Sequence, residues 1–435
     1  MKINTVTVLG ANGTVGTNVS GIFASFGNAK VYMVSRSIEK STRAAQKAAQ
    51  SVRADAILGN LIPADYSMLN ECIANSDLVF ECVSENLDIK QKIWQDVAAL
   101  NINSAIYCSG TSGLSIRKLA EIFTEENSKQ FFGVHFFNPP YSMSLCELIK
   151  TDYSDEKVFN ELEEYLSKVL FRTVVEVKDS PAFLGNRIGF QFINEALQYS
   201  EKYKYSGGID YIDAILGPFS GRNMPPLVTS DFVGLDVHKA IVENVYENSN
   251  DYAHETFKLP LFADELILEG HLGRKTKGGL YEIIREGNSS KKILVYDIIT
   301  KSYRDKIEFT FPFIENMVNW FYVGDYAKAF SSLISNLSIE AEICVECLLK
   351  YLLYSLFTAD QVSYGIHSAD DVMVTGFNWC PPLGVYEAMS EITDVEKLIY
   401  ERIDDSITNQ IDIQKLFAKI EPSKYDYRRF FKAIR

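Results

Sequence analysis

A histidine in an apolar run, with a carboxylate a short way beyond it, is the pair in this chain best suited to chemistry. The stretch reads Gly133-Val-His135-Phe-Phe-Asn138-Pro139-Pro140-Tyr-Ser-Met143-Ser-Leu-Cys-Glu147-Leu-Ile149. The run through His135 is strand-like, Asn-Pro-Pro breaks it, and Glu147 follows as a lone carboxylate. An imidazole and a carboxylate are costly to bury unless they meet, so the pattern asks for a His-Glu pair working in general acid–base catalysis. The chain also opens with a glycine-rich loop. A nucleotide site and a poised imidazole together point to hydride transfer at an alcohol carbon.

The loop, Val8-Leu-Gly10-Ala-Asn12-Gly13-Thr14-Val15-Gly16, follows a strand and opens a helix. Glycines permit the tight turn and let the backbone approach a pyrophosphate, which the helix N-terminus attracts. Gly10, Asn12, Gly13, Thr14, Val15 and Gly16 are therefore candidate cofactor contacts. The spacing is GxxGxxG, one residue longer than GxGxxG. The second strand ends in Val34-Ser35-Arg36, with no carboxylate to accept from an adenosine diol. Arg36 could instead pair with a 2′-phosphate. The expected cofactor is NAD(H) or NADP(H), with a lean to NADP(H) through Ser35 and Arg36. In the competing reading Arg36 stacks on adenine or faces solvent, and NAD(H) is held by backbone.

These motifs together resemble the 3-hydroxyacyl-CoA dehydrogenases, whose signature runs roughly His-Phe-Phe-Asn-Pro, a Met, then Leu-Val-Glu-Val-Ile. The resemblance covers residues 1 to about 282, and the remainder resembles a second copy of the family's helical domain, as in long bacterial members. It implies that His135 exchanges a proton with the substrate's 3-hydroxyl and that Glu147 orients the ring. Ser112, in Ser109-Gly-Thr-Ser112, would bond the substrate oxygen. Asn186, in Asp179-Ser-Pro-Ala-Phe-Leu-Gly-Asn186, would hold the reacting carbonyl. Glu85 and Lys90, in Glu81-Cys-Val-Ser-Glu85-Asn-Leu-Asp-Ile-Lys90, would lie near the nicotinamide and its ribose. Lys40 and Arg43, with Arg36 and Lys47 on one helical face, would meet coenzyme A phosphates, and Asn138 would touch substrate. A solvated basic face is the plainer reading of the four cations. One departure is Gly110, where the family has Asn.

The implied partner is an acyl-CoA thioester. The same chemistry on an acyl-carrier-protein thioester is the first alternative, and a non-catalytic NAD(P)-sensing or scaffold protein is the second. The expected form is the single-activity one, with no enoyl-CoA hydratase part.

Composition fits this reading. The chain has 435 residues, 47% hydrophobic and 23% charged, enough for two or three domains. A net charge of −14 argues against nucleic-acid binding. The N-terminus enters a strand directly, and no apolar stretch is long enough to span a bilayer, so neither a leader nor a membrane segment is expected. Seven scattered cysteines suggest a reducing cytoplasm. Cys344-Val-Glu-Cys347 has CxxC spacing but lies in a helical run with an incomplete ligand set, so no metal is expected.

The elements that must carry the site follow. An α/β, Rossmann-like doubly wound domain is expected over 1–180, with strands at Thr5–Leu9, Lys30–Ser35, Leu78–Cys82, Ala105–Cys108, Phe131–Phe136 and Thr173–Val177. An all-α domain of the 6-phosphogluconate-dehydrogenase C-terminal kind is expected over 181–282. A two-stranded connector around Gly287 is expected over 283–306, and a second, degenerate helical domain over 307–435. Ile212–Gly217 before Pro225-Pro-Leu227 parallels Asp371–Gly376 before Pro381-Pro-Leu383. Such duplication would mimic the interface that short members form by dimerising, so a monomer or a homodimer is expected.

Overall fold

The computed structural model describes residues 1–100, 102, 105–286 and 290–431. They form two compact units. The first is Met1–Phe183 with Val362–Tyr364, and the second is Leu184–Gln361 with Gly365–Arg435.

The first unit is built on eight strands: β1 (Thr5–Leu9), β2 (Lys30–Ser35), β3 (Leu61–Asp65), β4 (Leu78–Glu81), β5 (Ile106–Ser109), β6 (Phe131–Phe136), β7 (Leu145–Ile149) and β8 (Thr173–Val177). They make one sheet in the order β3-β2-β1-β4-β5-β6-β7-β8. Every neighbouring pair is parallel except β6 with β7. The strands read as near-continuous apolar runs because helices cover a parallel sheet on both faces. Val6, Val8, Val31, Met33, Phe80, Phe132 and Phe136 are all buried in one cluster. The strand order reverses between β1 and β4, which opens a crevice at their carboxyl ends, where open α/β sheets bind ligands.

Two of these strands lie outside the sequence expectation. β3 contains Pro63, which lacks an N–H and argues against a central strand; it sits at the sheet edge, where proline is tolerated. β7 is only five residues long and carries Glu147 at its centre. At the other edge, Val362–Tyr364 covers β8: Ser363 bridges Val177 antiparallel, and Lys178 N donates to Val362 O at 2.8 Å.

Helix α1 (Thr14–Ser25) starts at Gly13, and α2 (Ile38–Val52) buries Ala44, Ala45, Ala48 and Ala49. Ser37 caps α2, accepting from Lys40 N at 3.4 Å. Arg36 therefore precedes the helix, and the four-cation helical face expected from sequence reduces to Lys40, Arg43 and Lys47, all exposed.

The second unit is helical around the 18-residue Gly185–Lys202 and the 24-residue Ile339–Val362. Lys350 pairs with Glu195 at 2.7 Å, and Arg187 Nε donates to the Tyr354 hydroxyl at 3.0 Å, joining those helices in one core. Asp213 accepts from the amides of Leu227 and Val228 at 2.8 and 3.2 Å, and Asp370 accepts from Leu383 N at 2.9 Å. Each aspartate thus caps the helix that a Pro-Pro-Leu sequence opens. Asp213 lies four residues before Gly217 and Asp370 six before Gly376, so the two caps do not share the register read from those glycines. The second stretch contains a π-helical turn at Met373–Phe377. The connector has three antiparallel strands where two were expected, β9 (Tyr281–Glu286), β10 (Ser290–Asp297) and β11 (Ser302–Asp305), in the order β11-β10-β9. Its expected turn at Gly287 lies outside the described residues. Among the described residues no helix is long and apolar enough to cross a membrane, and no group of His, Cys, Asp and Glu is placed to hold a metal ion.

The departure at Gly110 has a packing cause. A Cβ there would lie 2.6 Å from Cζ of Phe80 and 3.0 Å from the Glu81 carbonyl oxygen. Gly110→Ala is expected to cost ~1–3 kcal/mol. Phe80→Leu should recover part of that loss in the double variant, read from urea unfolding. Strict additivity would show that the ring and the glycine do not constrain each other.

Candidate active site

Antiparallel pairing of β6 with β7 sets His135 directly opposite Glu147. Nδ1 of His135 lies 2.7 Å from Oε2 of Glu147, and the two residues are 4% and 0% exposed. A carboxylate only accepts, so this contact puts the ring hydrogen on Nδ1 and leaves the lone pair on Nε2. The ring is flanked by Phe137 and Phe183, at centroid distances of 4.6 and 5.7 Å. The intervening turn is pinned by buried Arg172, whose guanidinium donates to the carbonyls of Leu170 and Pro140. The dyad inferred from residue type and spacing is therefore present as a buried, hydrogen-bonded pair.

The glycine loop joins β1 to α1. Gly10 and Ala11 donate to Val34 O at 3.0 and 3.1 Å, which ties the loop to the end of β2. Gly10 has φ +83°, which a side chain resists. A Cβ on Gly16 would fall 2.5 Å from Gly10 O, whereas one on Gly13 would meet only that oxygen, at 3.4 Å. Gly10 and Gly16 are thus demanded by the fold, and Gly13 leaves the loop open to a ligand. Asn12, Gly13 and Thr14 are exposed and line a cavity of about 390 Å³ with Lys47 and Gln50. The open N-terminus of α1 offers the amides of Thr14, Val15 and Gly16 to an anion. A dinucleotide pyrophosphate fits this cradle.

At the end of β2 the two candidate residues differ. Ser35 is buried, its hydroxyl 2.8 Å from Ser41 Oγ and donating to Ser37 O at 2.9 Å. Arg36 is exposed. Asp65 stands opposite Ser35 in the register, and its Oδ1 accepts from the amide and hydroxyl of Ser67. Of Lys40 and Arg43, the latter pairs with Glu39 at 3.2 Å.

Beyond β4 and β5 the remaining first-unit candidates are knitted together. Lys90, on the helix Leu87–Ala98, is wholly buried, and its ammonium meets Glu81 at 2.7 Å and Glu85 at 3.3 Å. Burial opposes the lysine charge, and the Glu81 and Glu85 carboxylates outweigh it, so the ammonium is held above its usual range. Glu85 Oε1 accepts from Thr111 Oγ1 at 2.5 Å and Ser112 N at 2.7 Å. The loop continues to Asp179, which accepts from Ser115 Oγ and the amides of Ile116 and Arg117.

Glu81, Thr111 and Asp179 are the residues of this cluster that sequence reasoning passed over. The signal for Glu81 was present: a carboxylate ending the apolar run Leu78-Val-Phe, with Lys90 downstream. Asn138 is exposed after β6. Asn186 is 7% exposed in the first turn of Gly185–Lys202, in the second unit. The structure thus brings His135 to Glu147, and Glu85 and Lys90 to Ser112.

Known proteins place these features in a family. Residues 5–180 match the model of the 3-hydroxyacyl-CoA dehydrogenase NAD binding domain, and residues 183–283 match that of its C-terminal domain. A probable 3-hydroxyacyl-CoA dehydrogenase of Bacillus subtilis is 30% identical over 330 residues, covering 75% of this chain but 41% of that protein. A 3-hydroxybutyryl-CoA dehydrogenase of Bradyrhizobium diazoefficiens is 35% identical over 210 residues, 48% of this chain and 69% of its own. The solved 3-hydroxybutyryl-CoA dehydrogenase of Escherichia coli is 20% identical and covers 96% of this chain and 99% of its own, with a TM-score of 0.68, which shows that the fold is shared along nearly the whole length. By its dinucleotide loop, its domains and its relatives, the chain belongs to the 3-hydroxyacyl-CoA dehydrogenase family.

Proposed function

We propose that this protein interconverts 3-hydroxyacyl-CoA and 3-oxoacyl-CoA by hydride transfer to and from a nicotinamide dinucleotide. The buried His135–Glu147 pair carries the reading, because its Nε2 lone pair has no partner among the described residues and can exchange a proton with the substrate. In oxidation Nε2 takes the proton of the 3-hydroxyl, and Glu147 stabilises the imidazolium that forms. In reduction the imidazolium returns the proton to the same oxygen. The bound nicotinamide supplies the hydride acceptor or donor. Ser112 bonds the reacting oxygen, and the role that the family resemblance implies for Asn186 is to hold the carbonyl as charge develops there. Lys40, Arg43 and Asn138 are exposed and suited to the coenzyme A side of the substrate. Coenzyme A is the thioester carrier in the relatives' names.

For the dinucleotide, the lean to NADP(H) is supported by exposed Arg36 at the end of β2 and by Asp65 being engaged with Ser67. Residues 307–435 are read as a second copy of the 181–282 domain, supported by the matching Asp213 and Asp370 caps. Duplication supplies both helical halves from one chain. The cytoplasm is the expected compartment, in keeping with seven free cysteines.

Activity is tested by loss of reduced-nicotinamide absorbance with acetoacetyl-CoA and each reduced cofactor in turn; no oxidation of either would refute the reading. His135→Ala is expected to lower turnover about 10²–10⁴-fold while cofactor affinity holds. Parallel loss of cofactor binding would make the histidine structural. Glu147→Gln should lose activity at an unchanged Tm. Arg36→Ala should weaken NADP(H) roughly tenfold or more and NAD(H) far less. An equal change in both dissociation constants would remove the case for a 2′-phosphate contact.

A further inference from the structure

Asn186, the residue that the resemblance gives to the reacting carbonyl, sits in a helical turn whose placement needs a cause. The chain reaches that turn through Ala182 and Phe183, both buried, at φ +57° and +54°. Successive left-handed residues that are not glycine persist only where their surroundings hold them. The helix Gly185–Lys202 then begins at Leu184 without a side-chain cap. The leading amides of a helix have no bond within it, so an uncapped first turn frays readily. A tie from elsewhere in the fold must keep this turn in place.

Arg187, the next residue, makes that tie. Its side chain is buried, and its Nε donates to the Tyr354 hydroxyl at 3.0 Å. Its Nη2 donates to Ser249 Oγ at 2.8 Å and to Asp251 Oδ2 at 2.5 Å. Asp251 offers the guanidinium that one oxygen, because its Oδ1 accepts from Ala253 N at 2.9 Å. A carboxylate engaged through both oxygens would fix the guanidinium plane, whereas two acceptors at one nitrogen let it pivot. Tyr354 stops the pivot. Its hydroxyl accepts from Arg187 and donates to the same Asp251 oxygen at 3.0 Å, which closes a triangle.

Tyr354 is 1% exposed and lies on the helix Ile339–Val362, within the segment read as a second copy. Its ring packs on Tyr252 and Phe257, at centroid distances of 5.7 and 5.9 Å. A phenylalanine would fill that space equally well without burying a hydroxyl. One turn earlier Lys350 grips Glu195, so the two helices are joined without the hydroxyl. Packing therefore accounts for the ring and leaves the hydroxyl to the guanidinium.

We propose that Tyr354 is a positioning residue for Asn186. Through Arg187 it fixes the first turn that presents Asn186 to the reacting carbonyl, and this gives residues 307–435 a part in turnover. The proposal rests on the reading of Asn186 given above.

The test measures acetoacetyl-CoA reduction by the full chain and by Tyr354→Phe, alone and combined with Asn186→Ala. A small displacement of a positioning group is costly, so Tyr354→Phe is expected to lower kcat about tenfold. KM and the dinucleotide Kd should stay within about twofold, because the interaction is made as charge develops in the transition state. Some loss of Tm is expected under any role, since Arg187 Nε loses its acceptor. In Asn186→Ala the same substitution should lower kcat by less than about twofold, because the residue it acts through is gone. An unaltered kcat in Tyr354→Phe, or a full loss that persists in Asn186→Ala, overturns the proposal. Should Tyr354→Phe fail to fold, Ser249→Ala loosens the same guanidinium. It must then lower kcat in the unaltered protein but not in Asn186→Ala, and any other pattern overturns the proposal. Full turnover by Asn186→Ala alone would instead refute the reading of Asn186, and the proposal with it.

Discussion

A buried imidazole and a buried carboxylate can share an apolar sheet only if they meet, and that requirement fixes the one antiparallel pairing among the eight strands described in the first unit. β6 runs parallel to β5, and β8 parallel to β7, whereas β7 must turn back on β6 for Glu147 to face His135. A shift of one residue in this register would send Glu147 to the opposite face and leave two polar groups unpartnered, at a cost of several kcal/mol. The turn between the strands is held from below by Arg172, itself buried. Desolvation lowers the affinity of that guanidinium for its proton, and carbonyl oxygens satisfy it. The geometry of the dyad is thus a consequence of sheet register, with the turn as its clamp.

The same rule governs the other end of the site. Lys90 is buried because Glu81 and Glu85 are placed to receive it, and those acids hold the loops after β4 and β5 together. The second unit solves the problem differently at Arg222. That guanidinium is fully buried and lies over Phe192 at 3.7 Å, with Tyr351 and Trp379 at 4.9 and 4.8 Å. Only its NH1 donates, to Ser220, so the ring faces stand in for a carboxylate. Paired charges frame the proposed chemistry, while an aromatic box serves a core that carries none.

Much of this was legible in the sequence because it depended on local pattern. The glycine loop, the apolar strands and the His135–Glu147 pair each announce themselves within a few residues. What escaped depended on neighbours distant along the chain. β3 was hidden by Pro63, harmless only because the strand falls at an edge. β7 is too short to show a period, and its central acid disguises it. Arg36 looked like part of a helical face because spacing alone cannot see that Ser37 caps the helix. Glu81 was readable as an odd acid ending a strand, but its reach to Ser109 and Lys90 is set by the fold.

Gly110 joins these two kinds of information. In sequence it is a missing asparagine beside the Thr111-Ser112 loop, which suggests an altered ligand contact. In the fold it is the consequence of Phe80, whose ring fills the space a side chain would need and packs against Phe23 and Phe136 at 6.0 and 5.7 Å. Phe80 is adjacent to Glu81 on β4, so the ring and the carboxylate point to opposite faces of the sheet. One face of β4 therefore anchors the core, and the other anchors the charge network beneath the crevice. A substitution at Gly110 would press on both at once, because the backbone that it would displace also donates from Gly110 N to the Glu81 carbonyl at 2.7 Å.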